Sequence, residues 1–259
     1  MHRLERLAKT AGTSPWVIPY LTAGYPAKEE TLDLLRALER GGADAIEVGL
    51  PFSDPLADGP VIQATSQASL DGGTTTAWIL ETVAAFRRES DLPILVMGYL
   101  NPMMRFGLEA FFEKASEVGV DGLIVPDVPP EEAKPLQSMA DKANLSWVFL
   151  AAPTSGVQRL KQVDACSTHF SYCVAVTGVT GSRQSLPDDI KNYLAEAKSS
   201  MEKPFVVGFG ISEAKHVTQV CPPAAGVVVG SALLKAIGEA PNPASRVQVA
   251  EDFMKALRP

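Results

Sequence analysis

Three carboxylates lie close together between residues 47 and 60. Glu47 ends a short apolar segment, and Asp54 and Asp58 follow it in a loop that is restricted by Pro51, Pro55, Gly59 and Pro60. An acid at the end of a buried strand loses hydration, which raises its pKa and suits it to proton transfer near neutral pH. A solvated acidic turn is the alternative for one such carboxylate. Three of them in a stiffened apolar loop favour acid–base chemistry.

Glycines at two later points predict a site for an anion. Gly208 and Gly210 follow one apolar segment, and Gly230 and Ser231 follow the next and lead directly into a helical pattern. Glycine lets an anion approach the backbone, and the unpaired N–H groups at a helix start attract negative charge. A simple turn with a helix cap is the alternative at Gly230 and Ser231. The paired glycines favour a phosphate held by Gly210, Gly230 and Ser231.

The polar stretch from residue 177 to residue 185 predicts a lid. It contains Gly178, Gly181 and Ser182, which permit unusual backbone angles, and no strong secondary-structure pattern resumes before Pro187. Closure of such a loop would exclude water, bring the Thr180 hydroxyl to the acidic cluster and bring the Gly181 N–H to the phosphate. An ordinary surface loop is the alternative, because glycine-rich loops are common.

Short apolar segments alternate with amphipathic ones along the chain, which is the pattern of β/α units. Strands are predicted near residues 16 to 22, 43 to 48, 93 to 97, 121 to 125, 145 to 150, 168 to 173, 204 to 208 and 225 to 229. Helices are predicted near 28 to 41, 61 to 70, 75 to 89, 107 to 118, 131 to 143, 157 to 163, 187 to 199, 213 to 219 and 231 to 257, with an extra helix at 2 to 10. Eight units predict an α/β fold, a closed (β/α)8 TIM barrel with an extra N-terminal helix, as a single domain over residues 1–259.

In such a barrel the site lies at the carboxyl ends of the strands. The residues that reach this rim in the predicted fold are Glu47, Asp58, Tyr99, Asn101, Asp127, Tyr172, Thr180, Gly210 and Ser231. One exception to local rules lies in the first strand, where Pro19 cannot donate to the ladder. It affects the predicted limits of that strand only.

Composition excludes several classes of function. The chain has 259 residues, 46% hydrophobic content and a formal net charge of −7, which argue against general affinity for nucleic acid or an anionic membrane. No apolar run approaches a membrane-spanning length, so we expect a cytoplasmic protein. Its three cysteines lack the spacing of a metal or redox motif.

The stretch from Glu47 to Pro60, with Gln63, resembles the signature of the tryptophan synthase α chain family. Further blocks resemble that family in the same order: PYLTAGYP at 19–26, YLNP at 99–102, VPDVP at 125–129, TGVTG at 177–181, GFGI at 208–211 and VGSA at 229–232. The similarity runs from about residue 2 to the C-terminus.

The resemblance implies the reversible cleavage of indole-3-glycerol phosphate to indole and glyceraldehyde 3-phosphate. Glu47 would then move protons between the side-chain hydroxyl and indole C3, and Asp58 would accept a hydrogen bond from the ring nitrogen. Tyr172 would assist proton transfer or only pack on the ring. The remaining substrate-binding residues are expected to be Tyr20, Tyr99, Thr180, Gly181, Phe209, Gly210, Gly230 and Ser231. Candidate ring walls are Phe209, Leu50, Tyr20, Met97, Ile62 and Leu123. Any of these suits the barrel core equally, and for Met97 and Leu123 the core is the favoured interpretation.

The resemblance also implies a partner, a pyridoxal-phosphate β chain that uses indole, in an αββα assembly. The rim loops at 52 to 60, 101 to 106 and 127 to 135 are predicted to offer it a contact surface. That surface is expected to include Pro55, Pro102, Met103, Met104, Phe106, Pro129 and Pro130.

Other chemistries fit the residues less well. A Schiff-base aldolase needs a lysine at a strand end, and no predicted strand end carries one. The three histidines are far apart in sequence, and no nucleotide-binding motif is present, so we expect neither a metal nor an organic cofactor. The open alternatives are a self-sufficient lyase that releases indole, a different sugar-phosphate barrel, and a ligand-binding barrel that acts mainly as an allosteric partner.

Overall fold

The computed structural model describes residues 1–175, 187–208 and 210–258. Within these ranges the strands are Trp16–Thr22 (β1), Ile46–Gly49 (β2), Ile94–Met97 (β3), Gly122–Ile124 (β4), Ser146–Trp147 (β5), Leu150–Ala151 (β6), Ser171–Val174 (β7), Phe205–Gly208 (β8) and Gly226–Val229 (β9). The α-helices there are Arg3–Ala8 (α1), Thr31–Arg40 (α2), Pro60–Asp71 (α3), Thr76–Arg87 (α4), Leu100–Phe106 (α5), Leu108–Glu117 (α6), Lys134–Lys142 (α7), Val157–Cys166 (α8), Asp188–Ser200 (α9), Ala214–Val220 (α10), Ser231–Glu239 (α11) and Pro243–Leu257 (α12).

The strands form one parallel sheet that closes on itself. Its order is β5-β4-β3-β2-β1-β9-β8-β7-β6, so the two ends of the sheet are consecutive segments of the chain. The Val148 N–H donates to the Leu123 carbonyl at 3.0 Å, and the Tyr172 N–H donates to the Phe149 carbonyl at 3.0 Å. The segment from 146 to 151 therefore bonds to β4 with its first half and to β7 with its second. The predicted eight-stranded barrel is confirmed, with its fifth strand divided in two.

The strands are buried because the helices cover them, as the apolar runs predict. In β1 every residue is buried, including Pro19, which pairs with Val229 of β9. The neighbouring register places Tyr20 of β1 opposite Glu47 of β2. Two of the predicted site residues are thus held by adjacent strands of the sheet.

The predicted N-terminal helix is present as α1 and covers the end of the barrel opposite the predicted rim. Leu4 is fully buried, and its Cδ1 lies 3.0 Å from where a side chain at Gly122 of β4 would begin. Arg3 pairs with the buried Asp121 at 3.1 Å, and Asp121 also accepts from Arg87 at 2.9 Å. This ion-pair network attaches α1 beneath the sheet.

Two helix predictions are corrected. Residues 101 to 106, predicted as a rim loop, lie in helix α5, whose first N–H, that of Leu100, donates to the Asp127 carboxylate at 3.1 and 3.2 Å. The single helix expected from 231 to 257 is two helices, α11 and α12. Asn242 caps α12 by accepting from the Ser245 N–H at 2.9 Å, and Pro243 occupies its first position.

Helix α3 begins two residues after Asp58 and is bonded to the end of β1. The Thr65 and Thr22 hydroxyls are 2.8 Å apart, and Ser69 Oγ donates to the Ala23 carbonyl at 2.6 Å. Thr22, Thr65 and Ser69 are all buried. These bonds attach the middle and the later part of α3 to the end of β1. In the described part of the chain, no helix combines the length and apolar character needed to cross a membrane.

Candidate active site

Glu47 lies in the middle of β2, with its side chain fully buried. Neither carboxyl oxygen has a hydrogen-bond partner among the described residues. Burial without compensation disfavours the charged form, and it raises the pKa of Glu47 to about 8. Since no described partner fixes its proton, this carboxyl group is free to exchange one with a ligand.

Asp58 lies in the loop after β2 and is held by Tyr99, which follows β3. The Tyr99 hydroxyl donates to Asp58 Oδ2 at 3.2 Å and accepts from the Ala57 N–H at 2.9 Å. Gln63 Nε2 donates to the Asp58 carbonyl at 2.8 Å. Burial raises the pKa of Asp58, and the Tyr99 hydrogen bond opposes that shift. The Phe52 ring lies against Tyr99, with centroids 5.3 Å apart, and supports the arrangement.

Tyr20 and Tyr172 are buried tyrosines that lie near both acids. Burial raises the pKa of each hydroxyl above its ordinary value, and both Glu47 and Asp58 add to the shift. Each ring occupies space that a glycine leaves open. A side chain at Gly49 would begin 2.2 Å from Tyr20 Oη, and one at Gly208 would begin 2.1 Å from Tyr172 Oη. Gly49 and Gly208 therefore leave the space that the Tyr20 and Tyr172 rings occupy.

A cavity of about 710 Å³ opens at this rim. Its lining includes six of the predicted site residues: Tyr20, Glu47, Tyr172, Gly210, Gly230 and Ser231. Of the predicted ring walls, Ile62 and Met97 also line it, together with Val61. Asp58 and Tyr99 are not in the lining but form the adjacent cluster described above. Leu50 and Leu123 are not in it either, and both belong to the buried core.

The glycines and a helix start form the other end of the cavity. Gly210 has a φ of +36°, in the left-handed region that favours glycine. Gly230 precedes α11 without a side-chain cap, and the first turn of α11 contains no acidic residue. The N–H groups at the start of α11 are therefore open to an anionic ligand.

Several residues of the cavity are not predictable from the local sequence. Lys215 and His216 of α10 and Lys235 of α11 line the cavity, as do Ser212 and Ile211. Lysine and histidine on a helix surface carry no local signal for a site. The available signal was their position in the first two turns after the glycine-rich loops of the seventh and eighth units.

Some predictions fall outside the described residues or are corrected. Thr180, Gly181, Phe209 and the lid at 177 to 185 lie outside the described ranges. The contact surface is only partly as expected: Met104 is 57% exposed, but Met103, Pro55 and Pro130 are buried within the chain. They are needed to pack the rim loops. Leu56, which was not predicted, is 94% exposed in the acidic loop.

Among the described residues, no group of three or more histidine, cysteine, aspartate or glutamate side chains is arranged to hold a metal ion. The polar groups of the cavity are instead a buried acid at one end and backbone N–H groups at the other, where Lys215, His216 and Lys235 lie with the acidic Glu213. This division suits a ligand with an apolar, proton-exchanging part and an anionic part.

The fold and the cavity define a β/α-barrel protein whose ligand site lies at the carboxyl ends of its strands. A family model described as tryptophan synthase alpha chain matches residues 7–258. The tryptophan synthase alpha chain of Roseiflexus sp. (strain RS-1) is 43% identical over 261 residues, covering 98% of this chain and 100% of that protein.

Solved structures agree. The alpha subunit of tryptophan synthase from Legionella pneumophila str. Paris superposes with a TM-score of 0.90 at 33% identity, covering 100% of this chain and 97% of that one. A chain of the tryptophan synthase complex from Pyrococcus furiosus gives a TM-score of 0.87 at 39% identity, covering 94% and 98%. The chain belongs to the tryptophan synthase α chain family, and it is a lyase of tryptophan biosynthesis.

Proposed function

We propose that this chain cleaves indole-3-glycerol phosphate reversibly to indole and glyceraldehyde 3-phosphate, with Glu47 as acid and base. The observation that carries the proposal is the fully buried, unpartnered Glu47 carboxyl group at one end of a cavity whose other end is built from glycines and a helix start. The two ends of the cavity suit the two ends of the substrate in chemical character: a reacting ring and a phosphate.

The proton transfers need only one carboxyl group. Protonated Glu47 gives its proton to indole C3, which turns the ring into an electron acceptor. The resulting carboxylate then takes the proton from the hydroxyl on the adjacent side-chain carbon, while the bond from that carbon to C3 breaks and an aldehyde forms. Glu47 ends the cycle protonated, in the form that its raised pKa favours at neutral pH.

Asp58 is proposed to stabilise the charge that this step creates. Protonation of C3 places positive charge on the ring nitrogen, so a carboxylate that accepts from its N–H binds the transition state more strongly than the substrate. Tyr99 and the backbone around Ala57 hold Asp58 in place before the substrate arrives. Preorganisation of this kind avoids reorganisation during the reaction.

The apolar part of the cavity is proposed to bind the indole ring. Tyr20, Tyr172, Ile62 and Met97 supply its walls. With its pKa raised above the ordinary tyrosine value, Tyr172 remains a neutral hydroxyl, which suits packing and hydrogen bonding more than ionisation. Phe209 is proposed as a further wall.

The phosphate is proposed to bind at Gly210, Gly230 and Ser231, where open N–H groups and the start of α11 favour an anion. Thr180 and Gly181 are proposed to act in the same site, in the roles that the resemblance implies. The reaction moves protons within one substrate and transfers no electrons to or from it. We therefore propose a cofactor-independent lyase of the aldehyde-lyase type.

A β chain is proposed as the partner. One solved structure similar to this chain belongs to the tryptophan synthase complex of Pyrococcus furiosus, and another is described as the a2b2 complex of that organism. In this chain Leu56 of the acidic loop and Met104 of α5 are exposed apolar residues in two of the rim segments proposed for contact. A pyridoxal-phosphate β chain, assembled as αββα, would take up the indole released beside them.

Steady-state cleavage of indole-3-glycerol phosphate tests the proposal directly. Indole and glyceraldehyde 3-phosphate should form in equal amounts, and an indole-propyl phosphate should inhibit competitively, because it fills both ends of the cavity. Tight binding of that inhibitor without any cleavage would favour the alternative of a ligand-binding barrel that acts as an allosteric partner.

A further inference from the structure

We propose that Asp127 is a positioning residue for the cleavage step, because it holds Tyr99 and through Tyr99 it sets the position of the Asp58 carboxylate. The inference rests on the proposed function for the role of Asp58, but its basis is a series of hydrogen bonds that joins the two aspartates. Asp58 follows β2, Tyr99 follows β3 and Asp127 follows β4, so the series runs across three neighbouring strands of the barrel.

The backbone of Tyr99 is held on both sides by the segment that contains β4. The Gly98 N–H donates to the Ile124 carbonyl at 3.1 Å. The Leu100 N–H, two residues further, donates to the Asp127 carboxylate at 3.1 and 3.2 Å. In a parallel ladder alternate N–H groups of one strand bond to the same neighbour. The Asp127 carboxylate therefore extends the attachment of β3 to β4 by one step beyond the strands.

This bond lies at the start of α5, where the backbone N–H groups have no acceptor within the helix. Tyr99 immediately precedes α5 and supplies no side-chain cap of its own. Asp127 supplies the acceptor from another segment of the chain, and its charge suits the positive end of a helix. Because the Leu100 N–H belongs to the Tyr99–Leu100 peptide, the bond fixes the peptide from which the tyrosine extends.

The Tyr99 side chain carries this position to the acidic loop. Its hydroxyl donates to Asp58 Oδ2 at 3.2 Å and accepts from the Ala57 N–H at 2.9 Å. The tyrosine is buried, and its ring lies against Phe52. A rotation of the peptide that follows Tyr99 would therefore move the hydroxyl relative to Asp58.

Asp127 acts at a distance from the ligand. It is exposed, and it is not among the residues that line the cavity. Water can replace its carboxylate at the Leu100 N–H, so its removal should cost the fold little. Its main effect is expected on the geometry of Asp58, which a merely structural cap would not alter.

Initial rates of indole-3-glycerol phosphate cleavage by the full chain test the inference. Asp127→Ala should lower kcat by about 3- to 10-fold and change KM less, because a displaced Asp58 stabilises the transition state less well. Asp127→Asn should restore most of kcat, since the amide oxygen still accepts from the Leu100 N–H. In a chain that already carries Tyr99→Phe, Asp127→Ala should cost little more, because the two residues act in series.

Asn242→Ala is the matched control. Asn242 is also an exposed side chain that accepts from a backbone N–H at the start of a helix, α12, and it does not line the cavity. The substitution should lower the resistance to urea at least as much as Asp127→Ala does, and it should leave kcat unchanged.

Titration of the Asp58 carboxyl group, followed by carbon-13 NMR and assigned with Asp58→Asn, needs no turnover. The Tyr99 hydrogen bond favours the charged form of Asp58. The titration should therefore move to higher pH in Asp127→Ala and in Tyr99→Phe, but not in Asp127→Asn. Loss of the Asp127 charge alone would move it to lower pH. Tyr20 and Tyr172, which also lie near Asp58, are the same in all these variants.

The outcomes separate the two proposals. An unchanged Asp58 titration in Asp127→Ala, failure of Asp127→Asn to restore kcat, or fully additive losses with Tyr99→Phe would overturn the role of Asp127. If the titration moves as expected but the wild-type chain does not cleave indole-3-glycerol phosphate, the proposed reaction is wrong and the positioning of Asp58 by Asp127 stands.

Discussion

Glu47 is unusual among the acids of this chain because its buried carboxyl group has no partner in the described residues. A structural acid in such a place is expected to find a hydrogen bond or a counter-ion, since an unsatisfied buried group costs free energy. Asp121 shows the contrast: it is as buried, yet it accepts from two arginines and a backbone N–H. A buried acid that has no described partner and lines a cavity is therefore a candidate for contact with a ligand.

The first prediction is that Glu47→Gln reduces the cleavage rate by about 100-fold or more, because the amide has the same shape but cannot exchange a proton. The fold and the affinity for glyceraldehyde 3-phosphate should be retained. Initial rates and circular dichroism measure both. Glu81→Gln, an exposed substitution on α4, serves as the control. A variant that keeps more than about a tenth of wild-type turnover would show that another group moves the proton.

The second prediction concerns pH and stability at the same residue. Unfolded Glu47 releases its proton near 4.5, whereas folded Glu47 keeps it until about pH 8. Between these values the unfolded state binds fewer protons, so the free energy of unfolding falls as pH rises. Glu47→Gln lacks this effect and should gain stability relative to wild type from about pH 5 to about pH 8. Urea unfolding across that range measures it, and parallel curves for the two proteins would contradict it.

At this scale the sequence predicted the acids and glycines but not the cations. Glu47, Gly230 and Ser231 belong to a motif or follow a strand, and such positions can be identified along a single segment. Lys235 and His216 line the cavity only because two separate helices, α11 and α10, both lie beside it. Their place in the cavity depends on the tertiary fold, and nothing in the neighbouring sequence indicates it.

Among the elements, α3 is the one whose attachment matters most for chemistry. It starts immediately after the acidic loop, and the Thr22–Thr65 and Ser69–Ala23 hydrogen bonds join it to the end of β1. The hydrogen bond from Gln63 to the Asp58 carbonyl connects the first turn of α3 to the acidic loop. A shift of α3 would therefore move Asp58 relative to Glu47.

The third prediction is that Thr65→Val lowers kcat more than it raises KM, with a loss of about 1 kcal/mol in the free energy of unfolding. Valine has a similar shape but leaves the buried Thr22 hydroxyl without Thr65. Thr65→Ser should restore kcat because it keeps the hydroxyl. Thr82→Val on α4 removes only a bond within a helix and is the control. Loss of stability with unchanged kcat would mean that α3 does not position Asp58.

The elements that were mispredicted depend on distant or cumulative effects. Helix α5 starts where the Asp127 carboxylate, which lies 27 residues beyond Leu100, accepts from its N–H. The break between α11 and α12 was signalled locally by Pro241 and Pro243, but the amphipathic pattern continued across it. The fifth strand divides because its two halves bond to different neighbours as the barrel closes. The hydrophobic periodicity of the sequence identifies the helices and strands, whereas contacts between distant segments and the closure of the barrel determine where they begin and end.

For the molecule as a whole, we propose that residues 1–259 form one domain. One hydrophobic core cluster extends from Leu4 to Leu257 in the described residues and includes members of every barrel strand. The alternating pattern of the sequence was sufficient to predict this barrel, because eight β/α units have few other ways to bury both faces of a parallel sheet.

The last prediction is that a cognate β chain raises the cleavage rate of this chain. Indole is small and neutral, so a second active site at the rim would capture it before it diffuses away. Binding there would order the acidic loop, in which Asp58 and the exposed Leu56 lie two residues apart.

Met104→Asp should weaken the complex and abolish the activation while the isolated chain keeps its own rate, because Met104 is exposed on α5 and not in the cavity. Ala256→Asp adds the same charge on the exposed surface of α12 and should change neither. Sedimentation and initial rates with and without the β chain measure both effects. Full activity of the isolated chain, with no change in sedimentation on mixing, would instead identify a self-sufficient lyase that releases indole.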